Sequence, residues 1–528
     1  MPRPDPREYL IRIRDFLFKN KRNPFLYLAA ACFIFQLGLT IFQCKNLVDD
    51  AYISARYARN FANGFGLVFN RGEAAARVEG YSNFLWVVLL ALGWKSGFSM
   101  RFTAQFAGVL FSLFSSALLF FWVRKETGRK WLALACSGLL ATNLHFAVWS
   151  VEGLETPLFS LLIMAVVYSL SLERKRLAMV MALLAALTRP DGILLFFAIA
   201  LVQFLEFRRG LPQFVKTAGK WFYFIVPYFV YFLWRSVYYR SLLPNTFYAK
   251  TGLGWTGLRE GALYYAQFAF KEQGILIAIL VVLAGVLRGR RIPRPVMAAV
   301  VFAALYFLCI FFAGGDWMPH FRLIAPVFPV IYGAAFIVFH SAAGSGKLRS
   351  RAGLFPALFG LALLANAGQA ASYYTVESQA RTWHQKQARF YRPAADWLKV
   401  YVWQNQRIAV GDIGYIGYFG DHDFIIDTTG LTDKHLGRLP GISSLSADVD
   451  YVLGLKPFAI VRLAHKYPEG VEIGHSEFDR QVALDSRFIA NYRLTKEIFA
   501  WQSDEKSRVD NKRRLSQVHF KVYLIDRQ

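Results

Sequence analysis

Apolar runs separated by short basic segments fill the chain as far as residue 371. Stretches of a length to cross a bilayer, roughly 17 to 25 residues, recur at 24–43, 102–123, 131–149, 154–172, 177–188, 192–207, 221–238, 273–288, 296–313, 320–339 and 353–371, the fifth being short. Lys and Arg gather in alternate connections, at 1–22, 124–130, 174–176, 208–220, 288–294 and 347–351, about twenty-five of them in six short segments. This alternation keeps the N-terminus and all six segments in the cytoplasm. An odd number of spans, about eleven, then leaves residues 372–528 outside. Residues 82–98, SNFLWVVLLALGWKSGF, read as an interfacial helix instead of another span. They contain Lys95, Trp86 and Trp94, and counting them would turn RKETGRK and ERKR outward, against the charge bias. The N-terminus is basic from Arg3 to Arg22 and then apolar, but the run from Pro24 to Phe42 is too long for a signal h-region and lacks a small-residue cleavage site. The expectation is an uncleaved first span.

From Ser372 the pattern changes to short β-rich runs, RIAV, FIID and FAIVRL, broken by Gly, Pro and Asp and carrying charge of both signs. The expected fold class is a polytopic α-helical membrane protein with a C-terminal α+β soluble domain on the outer side. Its parts are a basic cytoplasmic N-terminus (1–23), a transmembrane domain (24–371) with a first outer loop at 44–101, and an outer domain (372–528). GYIGYFG at 414–420 offers spaced glycines but precedes a strand, which predicts a turn. Composition agrees with lipid: 55% hydrophobic, 17% aromatic and only 18% charged over 528 residues. The net charge of +26 points to the membrane and not to nucleic acid, because the basic residues sit between apolar runs and not on one soluble face. Cys32, Cys44, Cys136 and Cys309 lie in or at the end of apolar segments, so no disulfide framework supports the outer domain.

Polar residues accumulate in the outer loops. Asp49 and Asp50 directly follow span one and open AYISARYARNFANGFGLVFN. On a helix Tyr52, Arg56, Arg59 and Asn63 share one stripe and Ile53, Tyr57 and Phe61 another, the pattern of a helix lying on the membrane surface and ending at Gly64 and Gly66. Paired acids beside arginines suit transfer from a phospholipid-borne sugar, which needs a base for an acceptor hydroxyl and cations for a phosphate leaving group. The same residues also suit a helix N-cap with arginines on lipid headgroups. Further outer sites are Glu152 and Glu155 in SVEGLETP, Arg189 and Asp191 in RPDG, Asn245, Tyr248 and Lys250 in PNTFYAK, and Asp316, Trp317, His320 and Arg322 in GGDWMPHFR. Caps and interfacial anchors are the alternatives for each, but polar groups close to a membrane usually mark a site. Arg235 lies near an outer span end, where it could snorkel. Asp49 and Asp50 could hold a divalent cation, although adjacent carboxylates alone define no metal site.

There is no Walker loop, dinucleotide fingerprint, HExxH or paired CxxC, so energy must arrive with the substrate. The motifs DDAYISARYARN, VEGYSNFLW, RPDG, PNTFYAK, GGDWMPHFR, GDIGYIGY and DTTGLTD, spanning Asp49 to Asp433, together resemble those of the GT-C membrane glycosyltransferases, and within them the mycobacterial terminal arabinofuranosyltransferase branch. The resemblance implies a polyprenyl-phosphate sugar donor, an extracytoplasmic glycan, lipid or protein acceptor, inversion at the anomeric carbon, and a bacterial inner-membrane location. It places the catalytic acid-bearing loop at Asp49 and Asp50. Arg56, Lys250, His320 and Arg322 are then the expected donor-phosphate ligands. Tyr52, Glu79, Tyr81, Glu152, Glu155, Arg189, Asp191, Asn245, Tyr248, Asp316 and Trp317 are the expected substrate-binding positions. The outer domain is expected to be a docking or lid module outside the chemistry, with Asp412, Asp427 and Asp433 near the acceptor. A polytopic transporter or lipid flippase is the alternative, disfavoured by the lack of evident repeats and interrupted spans.

Overall fold

The structure, a computed structural model, describes residues 24–44, 47–72, 77–205, 215, 218–250, 255–288, 292–316, 318–343, 354–375, 378–439, 447–468, 471–506 and 513–526. The first part is helical: α1 (Pro24–Gln43), α2 (Asp49–Ala62), α3 (Phe84–Lys95), α4 (Met100–Thr127), α5 (Lys130–Ala141), α6 (Leu144–Trp149), α7 (Thr156–Ser171), α8 (Lys175–Thr188) and α9 (Ile193–Leu205). It continues through α10 (Phe222–Tyr239), α11 (Asn245–Lys250), α12 (Trp255–Lys271), α13 (Gln273–Leu287), α14 (Arg294–Phe312), α15 (Phe328–Ala343) and α16 (Leu354–Thr375). Among the described residues, four helices are each long and apolar enough to cross a membrane: Pro24–Gln43, Met100–Thr127, Arg294–Phe312 and Ala325–Ala342. Gly257–Lys271 and Gln273–Leu287 make a fifth only as a pair bent by 100°. The expected span at 273–288 is therefore one arm of an interrupted element, a feature the apolar pattern hides because the first arm carries Arg259, Glu260 and Lys271 and does not read as a span.

The expected span at 131–149 is also divided, into α5 and α6, with Asn143 capping α6 by accepting the Phe146 N–H at 2.9 Å. α3 has 12 residues, about 18 Å of helix at 1.5 Å per residue, too short to cross about 30 Å of hydrocarbon. It packs on α2 and α4, with Trp86 fully buried and its indole N–H donating to the Gly153 carbonyl at 3.1 Å.

The C-terminal part begins with α17 (Ser378–Tyr401) and builds a six-stranded sheet from β1 (Ile408–Val410), β2 (Ile425–Asp427), β3 (Ala459–Lys466), β4 (Glu472–Gly474), β5 (Tyr492–Lys506) and β6 (Arg513–Ile525). The order is β2-β1-β3-β6-β5, with β4 beside β3; β1 runs parallel to β2 and β3, whereas β4, β5 and β6 pair antiparallel. Strand alternation divides the core. Ile408, Val410, Val461, Val518 and Phe520 join a cluster continuous with the membrane part, while Ala409, Ile426 and Ile460 face a second cluster with Phe478, Val482 and Phe488. The expected turn at 414–420 is instead a helix, α18 (Ile413–Gly420), lying between β1 and β2.

α2 is where the two parts meet. Nine of its 14 residues are buried, so both stripes are covered and it does not lie open on a membrane surface. It stops at Ala62, ahead of Gly64 in a left-handed conformation (φ +88°). Arg56 is fully buried. Its Nε donates to the Phe69 carbonyl at 2.7 Å, and Nη1 and Nη2 donate to the carbonyls of Gly417 and His422 in the C-terminal part. Arg59 and Arg71 pair with Asp421 at 2.7 and 3.0 Å, Arg71 also with Asp423 at 2.8 Å, and Asn70 exchanges two 2.9 Å hydrogen bonds with the backbone of Ile425. Replacing Arg56 by Lys keeps the charge but removes the fork that reaches three carbonyls. The expected cost is on the order of 3 kcal/mol. It should read out as a lower melting temperature and faster proteolysis of the C-terminal part in detergent; wild-type resistance in R56K would refute the clamp.

Candidate functional site

The start of α2 is pinned from two sides. Val48 N–H donates to the Glu152 carbonyl at 3.1 Å, tying the helix to SVEGLETP. The Asp49 carboxylate accepts Tyr415 N–H at 2.7 Å and Gly414 N–H at 3.1 Å, so it caps the first turn of α18 from another domain. A Cβ on Gly414 would stand 2.0 Å from the Asp49 carbonyl oxygen, and only glycine permits this approach. Hence GDIGYIGY carries its glycine for contact with a carboxylate and not for a turn.

The same approach brings in a second acid. Asp412, the residue preceding α18, accepts the Tyr391 hydroxyl at 2.9 Å on Oδ2. Burial first, then the Asp412 charge, push the Asp49 carboxyl up to about 8, with Asp50 adding to the shift and the two backbone N–H groups opposing it. Burial raises Asp412 as well. The two are best treated as a pair holding one proton more readily than isolated carboxylates would. The C-terminal part therefore contacts Asp49 directly.

Beside Asp50 begins a run of paired charges. Arg322 Nε holds Asp316 Oδ2 at 2.8 Å, and its Nη1 stands 3.9 Å from Asp50 Oδ2. Arg322 is within electrostatic reach of Glu155 and Arg189. Arg189 binds Asp191 at 2.7 Å and Glu155 at 3.2 Å, and Glu155 also accepts from Asn83 at 2.8 Å. His320 and Phe321 adopt left-handed backbone (φ +63° and +50°), a strained pair for non-glycine residues. Trp149 holds the His320 carbonyl at 2.8 Å and His145 holds its ring at 2.9 Å, Nδ1 to Nδ1.

Other expected site residues are placed elsewhere. Arg56 is saturated by three carbonyls over the Phe69 ring, so it is not presented to a phosphate. Glu79 forms a buried ion pair with Arg235, which is thereby held inside and not snorkelling. Tyr81 bonds Tyr239 at 3.0 Å, and Tyr52 packs against Tyr415, Tyr418 and Phe419. Asn245 donates to the carbonyls of Gly430, Leu431 and Asp433, fastening DTTGLTD to the membrane part, while Tyr248 lies under Arg438 at 4.9 Å. Asp427 is fully buried and accepts four hydrogen bonds from Thr429 and Thr432, the role of a loop clamp; burial lifts its carboxyl to about 6. Trp317 and the side chain of Lys250 lie outside the described residues. Among the described residues no three His, Cys, Asp or Glu side chains converge as a metal centre. Each Asp49 oxygen accepts one N–H group, from Gly414 and from Tyr415.

Sequence reasoning missed Tyr391, His145 and Glu272 at this end of the molecule, and assigned Asp412 only to the acceptor. The signal for Asp412 was its place in GDIGYIGY; the others carry no motif.

Residues 378–522 match a domain of unknown function, DUF8728. The terminal β-(1→2)-arabinofuranosyltransferase of Mycobacterium tuberculosis is 27% identical over 352 residues, covering 57% of this chain and 54% of that protein. The chain thus matches about half the length of this curated relative. Among solved structures, ArnT from Cupriavidus metallidurans superposes with a TM-score of 0.53 in the apo state and 0.50 when bound to undecaprenyl phosphate, each time at 14% identity and over 93% of this chain and 97% of ArnT. The chain has the membrane fold of ArnT with a sheet-containing C-terminal region, and its resemblance to the GT-C membrane glycosyltransferases holds in both sequence and fold.

Proposed function

We propose that the protein is an inverting membrane glycosyltransferase that moves a sugar from a polyprenyl-phosphate donor to an acceptor outside the bacterial cytoplasmic membrane. The observation that carries this reading is the Asp49 carboxylate, held by the Gly414 and Tyr415 N–H groups at the start of α2 and followed by Asp50, which lies 3.9 Å from the Arg322 cation. An acceptor hydroxyl gives its proton to Asp49 as its oxygen attacks the anomeric carbon. The bond from that carbon to the phosphate oxygen breaks, and the departing polyprenyl phosphate is held by Arg322 and His320, with Lys250 as a third cation. Asp316 orients Arg322, and Asp50, through charge, supports the oxocarbenium-like centre. Similarity to an arabinofuranosyltransferase and the fold of ArnT, one of whose structures holds undecaprenyl phosphate, support a lipid-linked pentose such as arabinofuranose as donor. A glycan, a lipid or a protein fits as acceptor.

Asn at position 49 keeps an acceptor oxygen for the cap on α18 but takes no proton. Asp49→Asn should therefore lower turnover by roughly 10² to 10⁴ with little change in melting temperature. Near-normal transfer from polyprenyl-phosphate arabinose by both Asp49→Asn and Asp50→Asn would end the catalytic reading.

The raised carboxyl also sets a pH dependence. From its ordinary 3.8 to about 8, Asp49 is protonated in the folded chain and ionised in the unfolded one, so stability from this group falls as pH rises through that window. Turnover needs the ionised base, so it should rise across the upper part of the window and level off above about 8. Asp412→Asn removes a neighbouring negative charge and should move the rising limb to lower pH; a limb that stays in place would exclude the pair.

The charge alternation supports an outer location for residues 372–528. An alkaline phosphatase fused after Gln528 should be active in a bacterial host, and a fluorescent cytoplasmic reporter there should be bright only if the orientation is reversed.

A further inference from the structure

The bent pair α12 and α13 meets at Glu272, a residue no motif marks. It is fully buried, and its backbone N–H donates to the Phe268 carbonyl at 2.7 Å to close the last turn of α12. Its Oε2 accepts the Gln369 amide at 3.1 Å, and its Oε1 lies 3.0 Å from His145 Nε2. The other nitrogen of His145, Nδ1, is 2.9 Å from His320 Nδ1. Three titratable groups from a helix break, from α6 and from GGDWMPHFR thus stand in one line, and His145 and His320 are 8% or less exposed.

The order of hydrogens along this line is constrained. The 3.0 Å contact between Glu272 Oε1 and His145 Nε2 is an ion-pair distance without hydrogen-bond alignment, and the charge of the carboxylate favours a proton on that nitrogen. Two Nδ1 atoms at hydrogen-bond distance share one hydrogen. With His145 neutral, that hydrogen belongs to His320, and the His320 ring accommodates a further proton on Nε2. With His145 charged, the hydrogen is its own and His320 is the neutral acceptor. One extra proton, balanced by Glu272, can rest on either ring without entering or leaving the line.

We propose that Glu272 and His145 are positioning residues that hold His320 as a proton-bearing donor aimed at the phosphate of the polyprenyl carrier. The inference rests on the reading that His320 binds that phosphate. During transfer the phosphodiester, with one negative charge, becomes a phosphate monoester with up to two. The acceptor proton goes to Asp49 and does not neutralise the new charge. A proton displaced from His145 to His320 does, and Glu272 keeps the line neutral as it moves. Trp149 and the strained backbone at His320 and Phe321 fix the ring so that the shift changes charge and not position.

The test uses the full chain in nanodiscs with undecaprenyl phosphate as probe. His320→Ala and Glu272→Gln should each weaken undecaprenyl phosphate binding about tenfold or more, the contribution of a charge-assisted hydrogen bond. Because Glu272 acts through His320, the double variant should bind no more weakly than H320A. E272Q should raise donor KM with acceptor KM unchanged, a split that a general loss of packing would not give. Wild-type binding by E272Q while H320A is weakened, or additive losses in the double variant, overturns the relay and leaves the phosphate site standing. Wild-type binding by H320A instead removes His320 from the phosphate site itself. Should E272Q fail to fold, His145→Asn carries the same comparison, with the same outcomes for and against.

Discussion

A single buried guanidinium sets the relation between the two parts of this molecule. Arg56 reaches a carbonyl of its own loop, at Phe69, and two carbonyls of the C-terminal part, at Gly417 and His422, with no solvent access. A charge taken out of water is costly, and three aligned carbonyl dipoles meet that cost only if the C-terminal part sits in one place. The surrounding contacts, Arg59 and Arg71 on Asp421 and the two-way exchange between Asn70 and Ile425, are more exposed or neutral and reinforce the same register. The position of α18 against α2 follows, and with it the approach of Gly414 to Asp49.

This makes the chemistry of Asp49 a property of the assembled molecule. With the C-terminal part removed, the carboxylate would lose two N–H donors, which lower its pKa, but also the burial and the Asp412 charge that raise it. The raising effects are the larger, so docking turns an ordinary carboxylate into a group that holds a proton near neutrality. A helix N-terminus commonly depresses a carboxyl; here it orients the group while burial and like charge decide its proton affinity.

Much of the fold was legible in the sequence, and the failures have definite causes. Apolar length located the helical part of the chain, and the change of pattern at Ser372 fell inside its last apolar helix, Leu354–Thr375, shortly before the sheet-bearing part. The interruption at Glu272 was hidden because the arm before it, with Arg259, Glu260 and Lys271, does not read as a span. Arg56 and Arg235 were misjudged because an arginine fork suits a phosphate, a set of carbonyls or a carboxylate alike, and only the fold reveals partners 156 to 366 residues away. The glycines of 414–420 suggested a turn because spacing does not distinguish glycine required by φ from glycine required by a close neighbour. Asp49 and Asp50 stood out because they directly follow a long apolar run, a position that depends on nothing distant.

The two sides of the site differ in how their charges are held, and the difference bears on where an anion would enter. Arg322 grips Asp316 at 2.8 Å, with Asp316 almost without solvent, but meets Asp50 only at 3.9 Å, where Asp50 retains about a quarter of its exposure. A tight buried pair resists separation, whereas a loose, half-wet contact contributes little and is exchanged readily. A phosphate approaching Arg322 from the Asp50 side would thus replace a weak partner while the strong one keeps the guanidinium in place. Displacing Asp50 from Arg322 would also leave its negative charge closer to the Asp49 and Asp412 pair alone, favouring proton uptake there. In the proposed reaction, donor binding on one side would therefore strengthen the base on the other, through charge and without a moving part.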